Sequence, residues 1–194
     1  MNIGIDVDGV IADQAKGVLR IINNVYSTCY TLDMWDSWDY ASDIVGGAKT
    51  LLQMMEKSWE FGYVTPIEFD VGSIVAKIKK IGVVTIISKR TYKSHVFVVR
   101  ALQDWKIEYD NLVLMSGNKW EEKLDYPIDV LIDDHPTVNH WTTGFSGIDS
   151  RKLILLRDQP WNQDIDCGEY PHITRIFSLA EAIPLLEEYK KIYG

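Results

Sequence analysis

This 194-residue sequence predicts an α/β protein, a parallel sheet with helices on both faces and a small helical segment inserted after the first strand. Three observations carry that prediction. Short runs rich in Val, Ile and Leu recur at Asn2–Asp6, Val83–Ser88, Leu112–Met115, Ile128–Ile132 and Lys152–Leu156. Continuous apolar runs of this length suit strands buried on both faces. Helical patterns lie between them, and that alternation packs as a parallel sheet between helical layers. The alternation then breaks once. Residues 26–70 hold no run of the buried type and are too long for a plain connection.

Each element has a local reason. The first strand ends in "GIDVDGVIAD", residues 4–13, and Asp13 is a good N-cap for a helix over Gln14–Asn24. The inserted stretch carries Trp35, Trp38, Tyr40, Trp59, Phe61 and Tyr63, enough aromatic surface for a small core of its own. The chain therefore divides into an α/β core of residues 1–25 and 71–194 and a helical cap of residues 26–70. Ile74, Val75, Ile78 and Ile81 give Val71–Ile81 a helical period, and Gly82 stops it. Tyr92–Lys106 and Leu179–Tyr193 read as helices. Ser178 and Glu181 have capping-box spacing, and Pro184 marks a kink or a delayed start. "RDQPWNQ", residues 157–163, reads as a loop able to close one side of a site, with Trp161 placed to bury substrate.

Composition narrows the function. The apolar fraction of 46% and charged fraction of 25% suit an ordinary globular protein. A net charge of −8 argues against a sequence-independent grip on a nucleic acid polymer, which needs a basic surface. A small phosphorylated substrate stays compatible, because a local site can be positive inside an acidic protein. Cys29 and Cys167 form neither a metal spacing nor a disulfide framework. With no apolar run long enough for a membrane span and no leader pattern, the expectation is a cytoplasmic protein without a membrane partner.

The chemistry gathers at the ends of the strand-like runs, where open α/β sheets bind ligands. Asp6 and Asp8 end the first and would face one space together. Two such carboxylates either share a cation or keep one group protonated. Ser88 ends "VVTIIS" and is followed by Lys89 and Arg90, which with Lys93 form either a phosphate-steering group or a solvated basic patch. Asp133 and Asp134 end "DVLIDD", and Lys119 and Lys123 lie just before that strand. Carboxylates with a hydroxyl and an ammonium suit Mg²⁺ and a phosphate: one Asp attacks phosphorus and another moves protons. A zinc reading through His135 lacks a second histidine at a suitable spacing.

Taken in order, Asp6-Val7-Asp8-Gly9-Val10, Ser88, Lys119 and Asp133-Asp134 resemble the motifs of the haloacid dehalogenase-like superfamily of phosphatases. "DVDGVIAD", "SKR", "GNK" and "LIDDHP" look closest to the 5'(3')-deoxyribonucleotidases and their small bacterial and phage relatives. The resemblance implies a Rossmann-like core with a helical cap, and Mg²⁺ as cofactor. It implies Asp6 as nucleophile and Asp8 as general acid/base, with the Asp8 backbone carbonyl on the metal. Ser88 and Lys119 would hold the phosphoryl group, with Gly9 and Lys89 beside them. Asp133 and Asp134 would complete the metal site, Asp134 as the direct ligand. The implied activity is hydrolysis of nucleoside monophosphates through an aspartyl-phosphate, and a homodimer is a family-level expectation. Trp35, Trp38, Trp59 and Phe61 are candidates to contact a base or to form the core of the cap. A sugar-phosphate phosphatase and a non-catalytic metabolite-binding module are the alternatives. A dehalogenase is disfavoured by Asp8, since that branch lacks the second aspartate.

Overall fold

The structure, a computed structural model, describes residues 1–116, 123, 125–136 and 152–194. Six strands form one parallel sheet: β1 (Asn2–Ile5), β4 (Val83–Lys89), β5 (Asn111–Met115), β6 (Val130–Asp133), β7 (Leu153–Arg157) and β8 (Ile173–Ile176), in the order β5-β4-β1-β6-β7-β8. The five expected strands form within two residues of their expected ends. The sixth, β8, lies in a stretch to which the sequence pattern assigns no element. Its "ITRI" has a polar centre, and it pairs only with β7, at the sheet edge.

Apolar runs become strands here because both faces are covered. Ile3, Ile5, Val130, Ile132 and Leu155 pack into one core with Ile74, Val75 and Ile78 of α4 (Val71–Lys79), with Val98 and Leu102 of α5 (His95–Asp104), and with Leu186 of α6 (Ala182–Tyr193). The alternate residues Leu131, Ile154 and Leu156 face the other way, against Ile165 and Ile173. Pro184 lies in the first turn of α6, where a missing N–H costs nothing, so its effect is a delayed start. The expected capping box does not close on the Ser178 N–H. Glu181 instead accepts from the Phe177 N–H at 2.9 Å.

The inserted segment packs with the helix that precedes it. A two-strand antiparallel ribbon, β2 (Ala12–Asp13) with β3 (Thr65–Pro66), stands where the chain leaves and re-enters the sheet layer. Beyond it lie α1 (Gln14–Tyr26), α2 (Tyr40–Ile44) and α3 (Ala48–Glu60). Val18, Leu19 and Ile22 of α1 pack with Trp35, Ala41, Val45 and Met54, in a core distinct from that of the sheet. By packing, α1 goes with the inserted segment. Asp13 caps it as expected, accepting from the Lys16 N–H at 3.2 Å. No helix among the described residues is long and apolar enough to cross a membrane.

Candidate active site

Three adjacent strands build the site. β1 lies between β4 and β6, with Ile5 opposite Ile86 on one side and Ile132 on the other. Asp6 therefore leaves the sheet level with Asp133, and Ser88 follows two residues after Ile86. The chain turns back at once after Asp6. The Ile11 and Ala12 N–H groups both donate to the Val7 carbonyl, at 2.9 and 2.8 Å. Gly9 has a φ of +75°, and a Cβ there would lie 2.0 Å from Asp134 Oδ2. Only glycine lets this turn rest against that carboxylate. The Gln159 side chain then holds the turn, donating from Nε2 to the Gly9 carbonyl at 2.6 Å.

Asp6, Asp133 and Asp134 are buried, and each offers an oxygen within 4.8 Å of the others. Lys123, 2% exposed, stands between two of them. Its Nζ is 3.0 Å from Asp6 Oδ1 and 2.7 Å from Asp133 Oδ2. The other oxygen of Asp133 accepts from the His135 N–H at 3.0 Å, so both are engaged. Asp134 accepts on Oδ2 from Trp161 Nε1 at 3.1 Å, while Asn162 Nδ2 donates to its backbone carbonyl at 3.0 Å. Asp134 Oδ1 makes no hydrogen bond among the described residues. Asp8 pairs through Oδ2 with Arg90 Nη2, and its Oδ1 is buried without a hydrogen bond.

The charges are far from self-neutralising. Burial pushes the Asp6 carboxyl up to about 6, with Lys123 opposing and Asp133 adding to the rise. Burial also raises Asp8 to about 6, against the pull of Arg90. Asp134 goes well above the ordinary carboxylate range, through burial and then the charges of Asp133 and Asp6. Burial alone would lower the Lys123 ammonium, but Asp133 and then Asp6 outweigh it and push it up. Four ionised carboxylates against one ammonium and one guanidinium leave a charge of −2, which one divalent cation would neutralise. An all-oxygen donor set with an orphaned buried oxygen fits Mg²⁺. No histidine joins the carboxylate group among the described residues.

A cavity of about 840 Å³ opens between this sheet edge and the insertion. Asp6, Asp8, Gly9, Ser88, Lys89, Arg90, Lys123 and Asp134 line it from the sheet side. Val18, Trp35, Trp38, Leu51, Leu52 and Met55 line it from the insertion side. Of the aromatic candidates, Trp35 and Trp38 reach the cavity, and the Trp38 ring lies against that of His135, tilted by 53° with ring centres 4.3 Å apart. Trp59 and Phe61 do not line it. Trp59 is buried beneath the Arg90 guanidinium, 4.8 Å from ring centre to Cζ, and Phe61 lies past the end of α3, half exposed against Tyr63. Lys119 lies outside the described residues. The lysine among the carboxylates is Lys123, the candidate that the sequence ranked second. Sequence reasoning also missed what Trp161, Gln159 and Asn162 do. The 157–163 loop does close the site, but its side chains hold the turn and Asp134.

No family model and no curated protein matches the chain. Solved structures do resemble it. The proposed HAD-hydrolase YfnB of Bacillus subtilis, solved bound to magnesium, is 13% identical, with 95% of this chain and 97% of that chain covered and a TM-score of 0.59. A haloacid dehalogenase-like family hydrolase of Xanthomonas campestris is 14% identical over 99% of this chain and 98% of that one, with a TM-score of 0.54. CbbY of Rhodobacter sphaeroides, solved in complex with phosphate, is 12% identical over 93% and 95%, with a TM-score of 0.53. These likenesses agree with the strand order and the insertion after the first strand: the chain has the haloacid dehalogenase-like fold.

Proposed function

We propose that this chain is a Mg²⁺-dependent phosphomonoesterase that forms an aspartyl-phosphate on Asp6 and acts on nucleoside monophosphates, deoxyribonucleotides first. The observation that carries the reading is the buried trio Asp6, Asp133 and Asp134 at the sheet edge, with Asp8 and Ser88 opening into the same cavity. The magnesium and phosphate in two structures of this fold support it. Asp6 and Asp134 through carboxylate oxygens, and Asp8 through its backbone carbonyl, would hold the Mg²⁺. The ion supplies positive charge for the phosphoryl oxygens. Asp133 has both oxygens engaged and serves as support.

The chain's own groups then divide the work. Asp6 attacks phosphorus, forming the Asp6 O–P bond as the ester P–O bond breaks. Asp8 gives its proton to the leaving alkoxide and, as carboxylate, takes one from the water that attacks the phosphorus of the aspartyl-phosphate. That step releases phosphate and returns the Asp6 carboxylate. Lys123 holds Asp6 in place and offsets its charge, and Ser88 donates to a phosphoryl oxygen. On the insertion side, Trp35, Trp38, Leu51 and Met55 present an apolar wall that suits a flat base better than a polyhydroxylated sugar. Phosphate release from deoxy- and ribonucleotides, sugar phosphates and an aryl phosphate, with Mg²⁺ and with a chelator, tests this. Metal-dependent release that is fastest on deoxynucleotides, and lost in Asp6→Asn, is the expected result. Release on sugar phosphates alone would keep the reaction and discard the base. An Asp6→Asn variant of full activity would discard the nucleophile.

A further inference from the structure

We propose that Arg90, two residues beyond the serine, is a second clamp on the phosphoryl group, binding the same anion that Ser88 and the metal bind. The inference rests on the phosphomonoesterase reading of the site. It goes beyond that reading by giving a direct substrate contact to a side chain that the sequence leaves between phosphate steering and a solvated basic patch.

Arg90 is built into the site. Its side chain is 5% exposed, although β4 ends one residue before it and the chain then enters a connecting loop. A solvated basic patch would project outward. Arg90 instead lies with its guanidinium over the Trp59 ring and its edge toward Asp8 and Ser88. Nε and Nη2 lie 3.4 and 3.3 Å from Ser88 Oγ, and Nη2 also meets Asp8 Oδ2. The N–H groups of Nη1 make no hydrogen bond among the described residues, and the residue lines the cavity.

The hydrogen bonds have a direction that matters. A guanidinium can only donate, so Ser88 Oγ accepts from Arg90. Its own hydroxyl hydrogen is thereby left for an incoming oxygen acceptor. Arg90 thus aims the serine and keeps N–H groups of its own beside it, in the planar array that matches phosphate oxygens. Trp59, buried from α3, holds the plane of the guanidinium, so the clamp is assembled from both the sheet and the insertion. Lys123 cannot take this role as built, since its ammonium lies between Asp6 and Asp133.

The test compares wild type, Arg90→Lys and Arg90→Gln. Inorganic phosphate is titrated calorimetrically in the presence of Mg²⁺, and kcat and KM are measured on an aryl phosphate. Arg90→Gln is expected to weaken phosphate binding and raise KM by about tenfold or more, as loss of a charged hydrogen-bond donor does. Arg90→Lys keeps the charge and the buried pair, guards against a Gln variant that fails to fold, and is expected to recover only part of the loss. Phosphate affinity and KM within about twofold of wild type in Arg90→Lys and Arg90→Gln, with kcat alone reduced, would overturn the clamp and leave Arg90 acting only through Asp8. A wild type that neither binds phosphate nor hydrolyses any ester would overturn the phosphomonoesterase reading itself, and the clamp with it.

Discussion

Lys123 is the residue on which the buried charges depend. It is paired with Asp6 at 3.0 Å and with Asp133 at 2.7 Å, and it is almost fully enclosed. Removing one partner of such a pair leaves an uncompensated buried charge, which costs about 3–5 kcal/mol. Lys123→Met should lose stability of that order in urea unfolding, and phosphatase activity with it. An unchanged midpoint would show that Asp6 and Asp133 have another counter-charge. Sequence spacing could not single out this lysine. Lys119 and Lys123 are four apart, and on a helix both would share a face. The choice between Asp133 and Asp134 was equally closed to spacing. What separates them is that Lys123 and the His135 N–H occupy both oxygens of Asp133, while Asp134 keeps one oxygen without a hydrogen bond. Asp6, Asp8 and Ser88 were legible because strand ends announce themselves. Trp161 was not, because a tryptophan in a loop carries no sign of the carboxylate its N–H will meet.

At the scale of elements, α1 and α3 make the insertion one body, and the contact turns on Gly17. A Cβ at that position would meet Ser58 Cβ and the Tyr63 backbone, each at 3.3 Å. Gly17→Val adds two methyl groups beyond that Cβ and forces the helices apart. Overpacking of this kind costs about 1–3 kcal/mol. The loss belongs to the insertion, whose core of Val18, Ile22, Trp35 and Met54 is separate from that of the sheet. Hydrogen exchange should therefore quicken across α1 and α3 in Gly17→Val while β1, β4 and β6 keep their protection. Equal quickening in the sheet would mean that the two cores unfold together. The packing of α1 with the inserted segment is not legible in the sequence. Asp13 and the apolar face of α1 look continuous with the first strand. What sets α1 apart from the sheet layer is a ladder of two residue pairs, Ala12 with Pro66 and Asp13 with Thr65, too short to leave any alternation in sequence. β8 escaped for a related reason. Arg175 at its centre reads as surface, yet its guanidinium bonds the Asn162 and Ile165 carbonyls at 2.9 and 2.8 Å and ties the strand to the loop below the site.

For the whole molecule, the site trades stability for function in a pH-dependent way. Asp6 and Asp8 both stand at about 6 in the folded chain, above the ordinary value of 3.8. Between those values the folded state binds more protons than the unfolded one, so stability falls as pH rises. The contribution of these groups is complete below about pH 4 and is lost as pH passes about 6. At neutral pH, the metal-free protein therefore carries the cost of buried, ionised carboxylates, which a divalent cation would relieve. Mg²⁺ at about a hundred times its Kd should stabilise by about 2.7 kcal/mol. For a chain of this length, that corresponds to a rise in Tm of about 5–10 °C. Because the ion needs ionised carboxylates, the rise should be full at about pH 7.5 and small at about pH 5. Asp134→Asn, which removes the ligand charge but keeps a group able to accept from Trp161, should abolish the rise and leave the metal-free protein more stable at about pH 7.5 than wild type. Thermal melts of both proteins, with Mg²⁺ and with a chelator at the two pH values, measure all of this without any substrate. A Tm rise of the same size at both pH values, or one that survives in Asp134→Asn, would place the ion elsewhere on the acidic surface and separate the carboxylate cluster from the metal.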